Sequence, residues 1–181
     1  MTDASSIIAK LLVATETLTE VLRAGYVLKG VADPEKVSSH SFNVAVLVLL
    51  ISEQVGRLDT AKCIKMALIH DISEALVMDT PLIAKKYFDK NGAENIASAE
   101  LFADFPELLE LLNEYHDSKT DESKLVHDCD TLQMLVRASR YNRFGQGDMA
   151  EFMDTVPVFH FDICHKVLKD FRNLDGKIYI K

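Results

Sequence analysis

The sequence contains no tryptophan and few residues that interrupt regular structure: 7 Gly, 4 Pro and 3 Cys among 181 residues. This scarcity argues against long disordered or low-complexity segments, which are usually rich in proline, glycine and polar residues. The cysteines, Cys63, Cys129 and Cys164, are odd in number and widely spaced. Their apolar helical neighbours favour reduced core thiols over a disulfide scaffold or a Cys-x-x-Cys metal site.

Long apolar runs and excess positive charge are also missing. The longest uninterrupted apolar run, residues 44–51, is far shorter than the roughly 20 residues that a bilayer-spanning helix needs. Residues 1–12 lack the pattern of a signal peptide, so we expect a cytoplasmic protein with no membrane contact. Lys and Arg number 20 against 28 Asp and Glu, a net charge of −8, which disfavours binding to nucleic-acid phosphates.

Apolar residues recur at helical spacing along most of the chain. Gly56 and Pro81 stand where helices should end, and Asp59 stands where a helix cap is expected. No segments alternate as β-hairpins do. Helices are predicted at residues 5–22, 38–55, 59–77, 82–88, 93–102, 122–144 and 160–171 and from Pro106 onward, with a loop at 23–37. The expected architecture is all-α, a single-domain helical bundle over residues 1–181.

Three histidines are followed directly by aspartate, at positions 70, 116 and 127. The pair His70-Asp71 differs from the others because it follows an apolar stretch of a helix that we expect to be buried, and Glu74 lies one turn later. A buried carboxylate costs several kcal/mol unless it is paired, hydrogen-bonded or bound to a metal. These three residues therefore indicate a functional site, whereas we expect the His116-Asp117 pair to be exposed.

His40 and Asp130 have the same character, since each interrupts an apolar helix. With His70 and Asp71 they make two imidazoles and two carboxylates. Such a mixed set suits Mn²⁺, Fe²⁺ or Co²⁺, with Zn²⁺ also compatible, and leaves coordination positions for water and substrate. Neighbouring helical residues point about 100° apart, so His70 and Asp71 can share one ion only if it lies between them.

At this point the residues resemble the HD-domain metal-dependent phosphohydrolases, whose ligands are a distant His, a His-Asp pair and a distant Asp. The likeness extends to the motifs of the 5′-deoxynucleotidase branch, which includes the YfbR-like and HD-domain-containing-2-like proteins, and covers most of residues 18–144. The matching stretches are RAGY at 23–26, PEKVSSHS at 34–41, HDISEA at 70–75, DTP at 79–81 and DESKLVHDCDTLQML at 121–135.

The resemblance implies a single HD domain with a metal-site core at about 18–144 and a C-terminal helix at about 160–172. It implies metal ligation by His40, His70, Asp71 and Asp130, with Mn, Co, Fe, Zn or Mg as the divalent ion. The implied reaction is phosphate release from (deoxy)nucleoside 5′-monophosphates by a homodimeric enzyme.

Further roles follow from the same likeness. Glu74 would orient or deprotonate the attacking water or protonate the leaving oxygen, and Arg23 would bind the phosphate. Tyr26 would lie near the nucleotide, and Asp79 would accept a hydrogen bond from the sugar. Lys85 and Lys86 could add positive potential near the site. His127 precedes Asp130 by three positions but is not included among the ligands.

Several departures leave the selectivity for deoxyribose open. Tyr26 stands where the family usually has Trp, Ser39 replaces an acidic residue, and Gln133 replaces Glu. One alternative is another nucleotide phosphohydrolase, acting on guanosine tetraphosphate or on triphosphates. Guanosine tetraphosphate hydrolases typically have a Glu-Asp pair after the His-Asp pair, whereas this sequence has Glu74-Ala75. A non-catalytic nucleotide or metal sensor is another.

Each assignment also has a structural alternative. Glu74 could be a solvated helix carboxylate, Arg23 could interact with a helix C-terminus, and His40 could be a core histidine with its hydrogen bonds satisfied.

Overall fold

The structure is a computed structural model that describes residues 3–174, except for the side chain of Lys85. Over this part of the chain it contains helices and no β-strand, which confirms the all-α prediction. The α-helices are α1 (Ala4–Leu18), α2 (Ala24–Leu28), α3 (Val37–Val55), α4 (Thr60–Ile69), α5 (Glu74–Val77), α6 (Lys90–Leu101), α7 (Pro106–Asp117), α8 (Asp121–Arg143), α9 (Ala150–Asp154) and α10 (Asp162–Leu174). A 3₁₀ helix spans Leu82–Lys86.

The predicted helix boundaries hold where a local signal sets them. The Asp59 carboxylate accepts a hydrogen bond from the Lys62 N–H and begins α4, as an N-cap residue does. Gly56 ends α3 with φ of 72°, a left-handed conformation that glycine adopts without steric cost. Pro106 occupies the first turn of α7, where its missing N–H removes no helical hydrogen bond.

The first predicted helix was too long, and the loop after it is partly helical. Helix α1 ends at Leu18, and Leu22 instead forms an isolated antiparallel bridge with Lys36. The Arg23 N–H donates to the Glu35 carbonyl at 2.9 Å, so the two segments pair as extended chain. The short helix α2 then places Arg23 at its N-terminus. Helix α9 was not predicted from the sequence.

The third predicted helix is interrupted at the His-Asp pair. Helix α4 ends at Ile69, and the N–H groups of Ile72 and Glu74 donate to carbonyls three residues earlier, at Ile69 and Asp71. His70 Nδ1 lies 2.8 Å from the Ala67 carbonyl. The backbone therefore makes a tight turn before α5 begins at Glu74. This turn, rather than a continuous helix, presents His70 and Asp71.

Helix α3 crosses the centre of the bundle and packs against α4 and α8. Val44, Val48 and Ile51 are buried on one side of α3, and the core is completed mainly by residues of α4, α7 and α8. Residues 44–51 are not all core, however, because Leu49 and Leu50 are exposed. The three cysteines are free and buried, as predicted. None of the described helices is long and apolar enough to cross a bilayer.

Candidate metal centre

Four predicted ligands converge from three parts of the bundle. His40 comes from the first turns of α3, His70 and Asp71 from the turn after α4, and Asp130 from the middle of α8. His40 Nε2 lies 3.0 Å from Asp130 Oδ1 and 3.7 Å from Asp71 Oδ2. One ligand atom from each of His40, His70 and Asp71 lies within 4.8 Å of the others. The structure thus brings His40, His70 and Asp71 into one cluster, while Asp130 lies beside that cluster through its contact with His40.

The turn after α4 meets the geometric condition set by the sequence. His70 Nε2 lies 3.2 Å from Asp71 Oδ2, although the two residues are adjacent. The His40 and His70 rings face the same region, with centroids 5.4 Å apart. Both imidazoles and the Asp71 carboxylate can therefore contact one ion.

The hydrogen bonds of both imidazoles fit a metal site. His70 Nδ1 lies 2.8 Å from the Ala67 carbonyl, and His40 Nδ1 lies 2.6 Å from Gln133 Oε1. An Nδ1–H that donates to an oxygen leaves the Nε2 lone pair available for a metal. Both Nε2 atoms are buried, and among the described residues neither makes a well-directed hydrogen bond. Each instead faces a carboxylate oxygen, that of Asp130 at 3.0 Å from His40 and that of Asp71 at 3.2 Å from His70. Buried nitrogens of this kind are expected to have a partner, and a divalent cation supplies one.

The charges around the centre also favour a cation. Burial lowers the pKa of His70, but the carboxylates of Asp71 and Asp130 raise it to about 9. Burial would raise the pKa of Asp130, but the imidazoles of His40 and His70 lower it to about 2. The pKa of Asp71 is likewise held well below its usual value, against burial, by His70 and Arg23. The carboxylates remain ionised and attract positive charge, whether a proton or a metal ion.

Glu74 begins α5 and is 1% exposed, which rules out the solvated helix carboxylate considered above. Its Oε1 lies 3.5 Å from Lys90 Nζ, while Oε2 has no hydrogen-bond partner in the described part of the chain. Burial, together with the carboxylates of Asp71 and Asp79, raises the pKa of Glu74 to about 9. The side chain can therefore hold a proton near neutral pH, as a general acid must.

Arg23 immediately precedes α2 and is mostly buried. Its Nη1 lies 3.2 Å from Asp71 Oδ2. Burial would lower the pKa of the guanidinium, but Asp71, Asp130 and Asp79 raise it further above its usual range. Arg23 is thus a fixed cation beside the candidate metal ligands. Its position at a helix N-terminus, where the dipole is positive, contradicts the alternative role at a helix C-terminus.

A cavity of about 650 Å³ opens beside Arg23. Tyr26, Asp79 and Phe152 line it together with residues of α2, the segment 80–83 and α9. The Tyr26 hydroxyl donates to the Met134 carbonyl at 2.8 Å, and the side chain is only 2% exposed, so Tyr26 is part of the packed wall of the cavity. Asp79 Oδ2 accepts a hydrogen bond from the Ala24 N–H at 2.5 Å. A concave, largely apolar space with a few polar groups is typical of a small-molecule site.

The remaining sequence candidates lie elsewhere or cannot be placed. His127 stacks on Tyr115 with ring centroids 4.0 Å apart, and its Nε2 lies 2.9 Å from the Tyr115 carbonyl. The pair His116-Asp117 is exposed, as expected. Lys86 Nζ lies over the Tyr87 ring at 4.8 Å. The predicted role of the Lys85 side chain lies outside the described residues.

Several residues around the centre were not predicted from the sequence. The Tyr115 hydroxyl donates to Asp130 Oδ2 at 3.4 Å, and Lys90 pairs with Glu74. Glu35 accepts a hydrogen bond from the side chain of Gln133, which in turn contacts His40. Tyr115 and Lys90 come from α7 and α6, and no short-range spacing links them to the ligands. Gln133 was noted only as a departure from the family motif.

A family model described as the HD domain matches residues 15–157, and the chain therefore belongs to the HD-domain family. This result confirms the resemblance seen in the sequence.

Curated relatives narrow the likeness within that family. The chain is 38% identical over 138 residues to the 5′-deoxynucleotidase HDDC2 of Dictyostelium discoideum, an alignment that spans 70% of this chain and 73% of the relative. It is 32% identical over 146 residues to the 5′-deoxynucleotidase HDDC2 of Homo sapiens, spanning 76% of this chain and 71% of the relative.

Solved structures agree with the fold. A conserved hypothetical protein from Pyrococcus furiosus superposes with a TM-score of 0.81 at 32% identity, covering 91% of this chain and 98% of the other.

Proposed function

We propose that this chain is a metal-dependent 5′-deoxynucleotidase, which releases phosphate from deoxynucleoside 5′-monophosphates. The observation that carries the proposal is the convergence of two buried Nε2 atoms, of His40 and His70, on the carboxylates of Asp71 and Asp130, with no well-directed hydrogen bond to either nitrogen among the described residues. The relatives named 5′-deoxynucleotidases support the choice of substrate class.

His40, His70, Asp71 and Asp130 would hold the divalent ion. When bound, the ion supplies an acidified water and polarises a phosphoryl oxygen. The set of two imidazoles and two carboxylates is compatible with Mn, Fe, Co, Zn or Mg, and availability selects among ions of similar geometry.

Two protein side chains would act on the substrate, one by binding the phosphate and the other by transferring a proton. Arg23 makes charge-assisted hydrogen bonds to the phosphoryl oxygens and holds the phosphorus next to the centre. The Glu74 carboxyl either removes a proton from the attacking water or delivers one to the 5′-oxygen as the P–O5′ bond breaks. Its raised pKa, about 9, favours delivery at neutral pH.

The nucleoside would occupy the cavity beside Arg23. Its volume, about 650 Å³, lies within the roughly 300–1,000 Å³ of small-molecule sites. Asp79 lines the wall and would accept a hydrogen bond from a sugar hydroxyl, while the buried Tyr26 would support the wall nearest the nucleoside.

The deciding experiment measures phosphate release on metal-stripped protein reconstituted in turn with Mn²⁺, Co²⁺, Zn²⁺ and Mg²⁺. The panel contains ribo- and deoxyribonucleoside mono- and triphosphates and guanosine tetraphosphate. Release confined to monophosphates and faster for deoxyribose is the expected result. Release from guanosine tetraphosphate or triphosphates would assign the chain to another HD-type hydrolase, and stoichiometric metal binding without any release would favour a sensor.

The same proposal includes a homodimer in the cytoplasm that binds neither nucleic acid nor membrane. Apolar side chains on α1 and α3 are exposed in the single chain: Ile8, Leu12, Val13, Phe42, Leu49 and Leu50. Exposed apolar side chains in such number favour burial against a second copy. The free, buried thiols suit a reducing compartment.

A further inference from the structure

A chain of side-chain hydrogen bonds runs from Arg137 on α8 to the candidate ligand His40. Arg137 Nε and Nη2 each lie 3.0 Å from Glu35 Oε1. Gln133 Nε2 lies 2.7 Å from the same oxygen, and Gln133 Oε1 lies 2.6 Å from His40 Nδ1. Glu35, Gln133 and His40 are all buried. Bonds this short among buried groups are stronger than those at the surface.

Arg137, at one end of these hydrogen bonds, determines which atom donates and which accepts in each of them. The guanidinium of Arg137 can only donate, so Glu35 Oε1 accepts. The Gln133 atom facing that oxygen must then be the amide NH₂, which directs the amide oxygen toward His40. An oxygen at this position requires Nδ1 of His40 to carry the hydrogen. The Nε2 lone pair is thereby directed toward Asp71 and the centre.

The other imidazole is fixed differently. His70 Nδ1 lies 2.8 Å from the main-chain carbonyl of Ala67, an acceptor that no side-chain substitution removes. His40 depends instead on the side chains of three residues outside the ligand set, Gln133, Glu35 and Arg137. One ligand, His70, is oriented by the backbone. The other, His40, is oriented by the hydrogen-bond chain Arg137–Glu35–Gln133, which we call the relay.

We propose that Gln133 is a positioning residue, which, held by Glu35 and Arg137, fixes the Nδ1–H tautomer and ring orientation of His40. The relay rests on the proposed metal centre and not on the choice of substrate. Its removal leaves the ligand present but free to rotate or change tautomer, which weakens the binding of metal.

The test is the affinity of metal-stripped protein for Co²⁺, measured by calorimetry together with the visible absorption of the bound ion. Gln133→Met keeps the side-chain length and removes both hydrogen bonds. We expect Co²⁺ to bind roughly 10- to 100-fold more weakly, the usual effect of losing an outer-sphere partner of a ligand, with a changed absorption spectrum. Wild-type affinity and an unchanged spectrum would overturn the proposal.

A charge exchange tests the direction of the relay. Gln133→Glu places two carboxyl groups together, which repel each other unless they take up a proton, and should weaken Co²⁺ binding. In the double variant Gln133→Glu with Glu35→Gln, the new amide can donate to the new carboxylate and accept from Arg137, which leaves a carboxylate oxygen for His40. The double variant should bind Co²⁺ more tightly than Gln133→Glu. No recovery would show that the relay does not act as described.

Asp128→Asn is the matched control. Asp128 is buried on the same helix but bonds to His160 Nδ1 at 2.9 Å and to the Phe161 N–H at 2.8 Å, outside the relay. The Asp128→Asn variant should have a lower melting temperature than the wild type and the same affinity for Co²⁺. If Asp128→Asn weakened Co²⁺ binding as much as Gln133→Met at equal loss of melting temperature, the effect would be general destabilisation and the proposal would fall.

The affinity is measured without nucleotide, so the relay and the proposed function fail separately. A wild-type protein that binds Co²⁺ but hydrolyses no nucleotide contradicts only the function. A wild-type protein that binds no divalent ion contradicts the metal centre and the relay together.

Discussion

Nη1 of Arg23 lies 3.2 Å from Oδ2 of Asp71. The pair joins the start of α2 to the turn after α4, and it places a permanent cation between the candidate metal ligands and the cavity. Arg23 therefore compensates a buried carboxylate in the free protein, and its remaining donors are available for a phosphate.

Arg23→Gln should reduce kcat/KM for a deoxynucleoside monophosphate by roughly 10- to 100-fold, because a hydrogen bond to a charged group contributes about 1.5–3 kcal/mol. Steady-state kinetics on reconstituted protein measure the effect. The control is Arg57→Gln, which removes an exposed arginine that pairs with Asp121 on the surface and should leave the kinetics unchanged. Equal activity of both variants would remove Arg23 from the site.

His70→Ala and Asp130→Ala should each lower metal content and melting temperature. Bound metal stabilises the folded state by about 2.7 kcal/mol when the free ion is at 100 times its Kd, and a variant that cannot bind loses this increment. Elemental analysis and thermal unfolding with and without metal give both quantities. His116→Ala, at an exposed position, is the control. Unchanged metal stoichiometry in both ligand variants would contradict the assigned centre.

Glu74→Gln should lower kcat by about 10²- to 10⁴-fold, the usual contribution of a general acid or base, while metal content stays at the wild-type level. The amide keeps the shape of the side chain but cannot exchange a proton with the substrate. Glu94→Gln is a suitable control, since Glu94 also pairs with Lys90, at 2.8 Å. Loss of metal together with activity would instead make Glu74 a ligand.

The same variant should alter how stability depends on pH. Because burial raises the pKa of Glu74 to about 9, the folded chain keeps a proton that the unfolded chain loses near pH 4.5. Its contribution to stability is complete below that lower value and declines as pH rises toward 9, by up to about 1.4 kcal/mol per pH unit.

Thermal unfolding of metal-stripped protein checks this dependence. The melting temperature of Glu74→Gln minus that of the wild type should increase as pH rises, because the amide has no proton to lose. A difference that stays constant between pH 4.5 and 9 would show that Glu74 is ionised in the folded protein.

The proposed homodimer predicts a solution mass twice the 20.3 kDa of one chain, measurable by light scattering. Leu50→Glu introduces a charge on the exposed apolar face of α3, where Leu50 is 58% exposed, and should shift the protein toward the monomer. Ile96→Glu, on α6, is the control for a surface charge and should leave the mass unchanged. A monomeric wild type would contradict the homodimer.

The candidate ligands were predictable from sequence because their residue types conflict with their surroundings. His40, His70 and Asp130 interrupt helices that are otherwise apolar, and a buried polar group needs a partner. The same argument separated His70-Asp71 from the exposed His116-Asp117. The place where α4 ends was not predictable, because the turn depends on the hydrogen bond between His70 and the Ala67 carbonyl.

The sequence by itself determined the all-α class, the helix ends at Gly56, Asp59 and Pro106, and the set of candidate ligands. The helix class and the helix ends depend on residue type and on spacing within one or two helical turns, where the backbone geometry is known in advance. The ligands were indicated by polar residues within apolar helices and by the family resemblance. The tertiary structure alone decided that Glu74 is buried beside Lys90 and that Gln133 orients His40. These contacts join helices far apart in the chain, and only packing determines which of their side chains meet and how much water surrounds them.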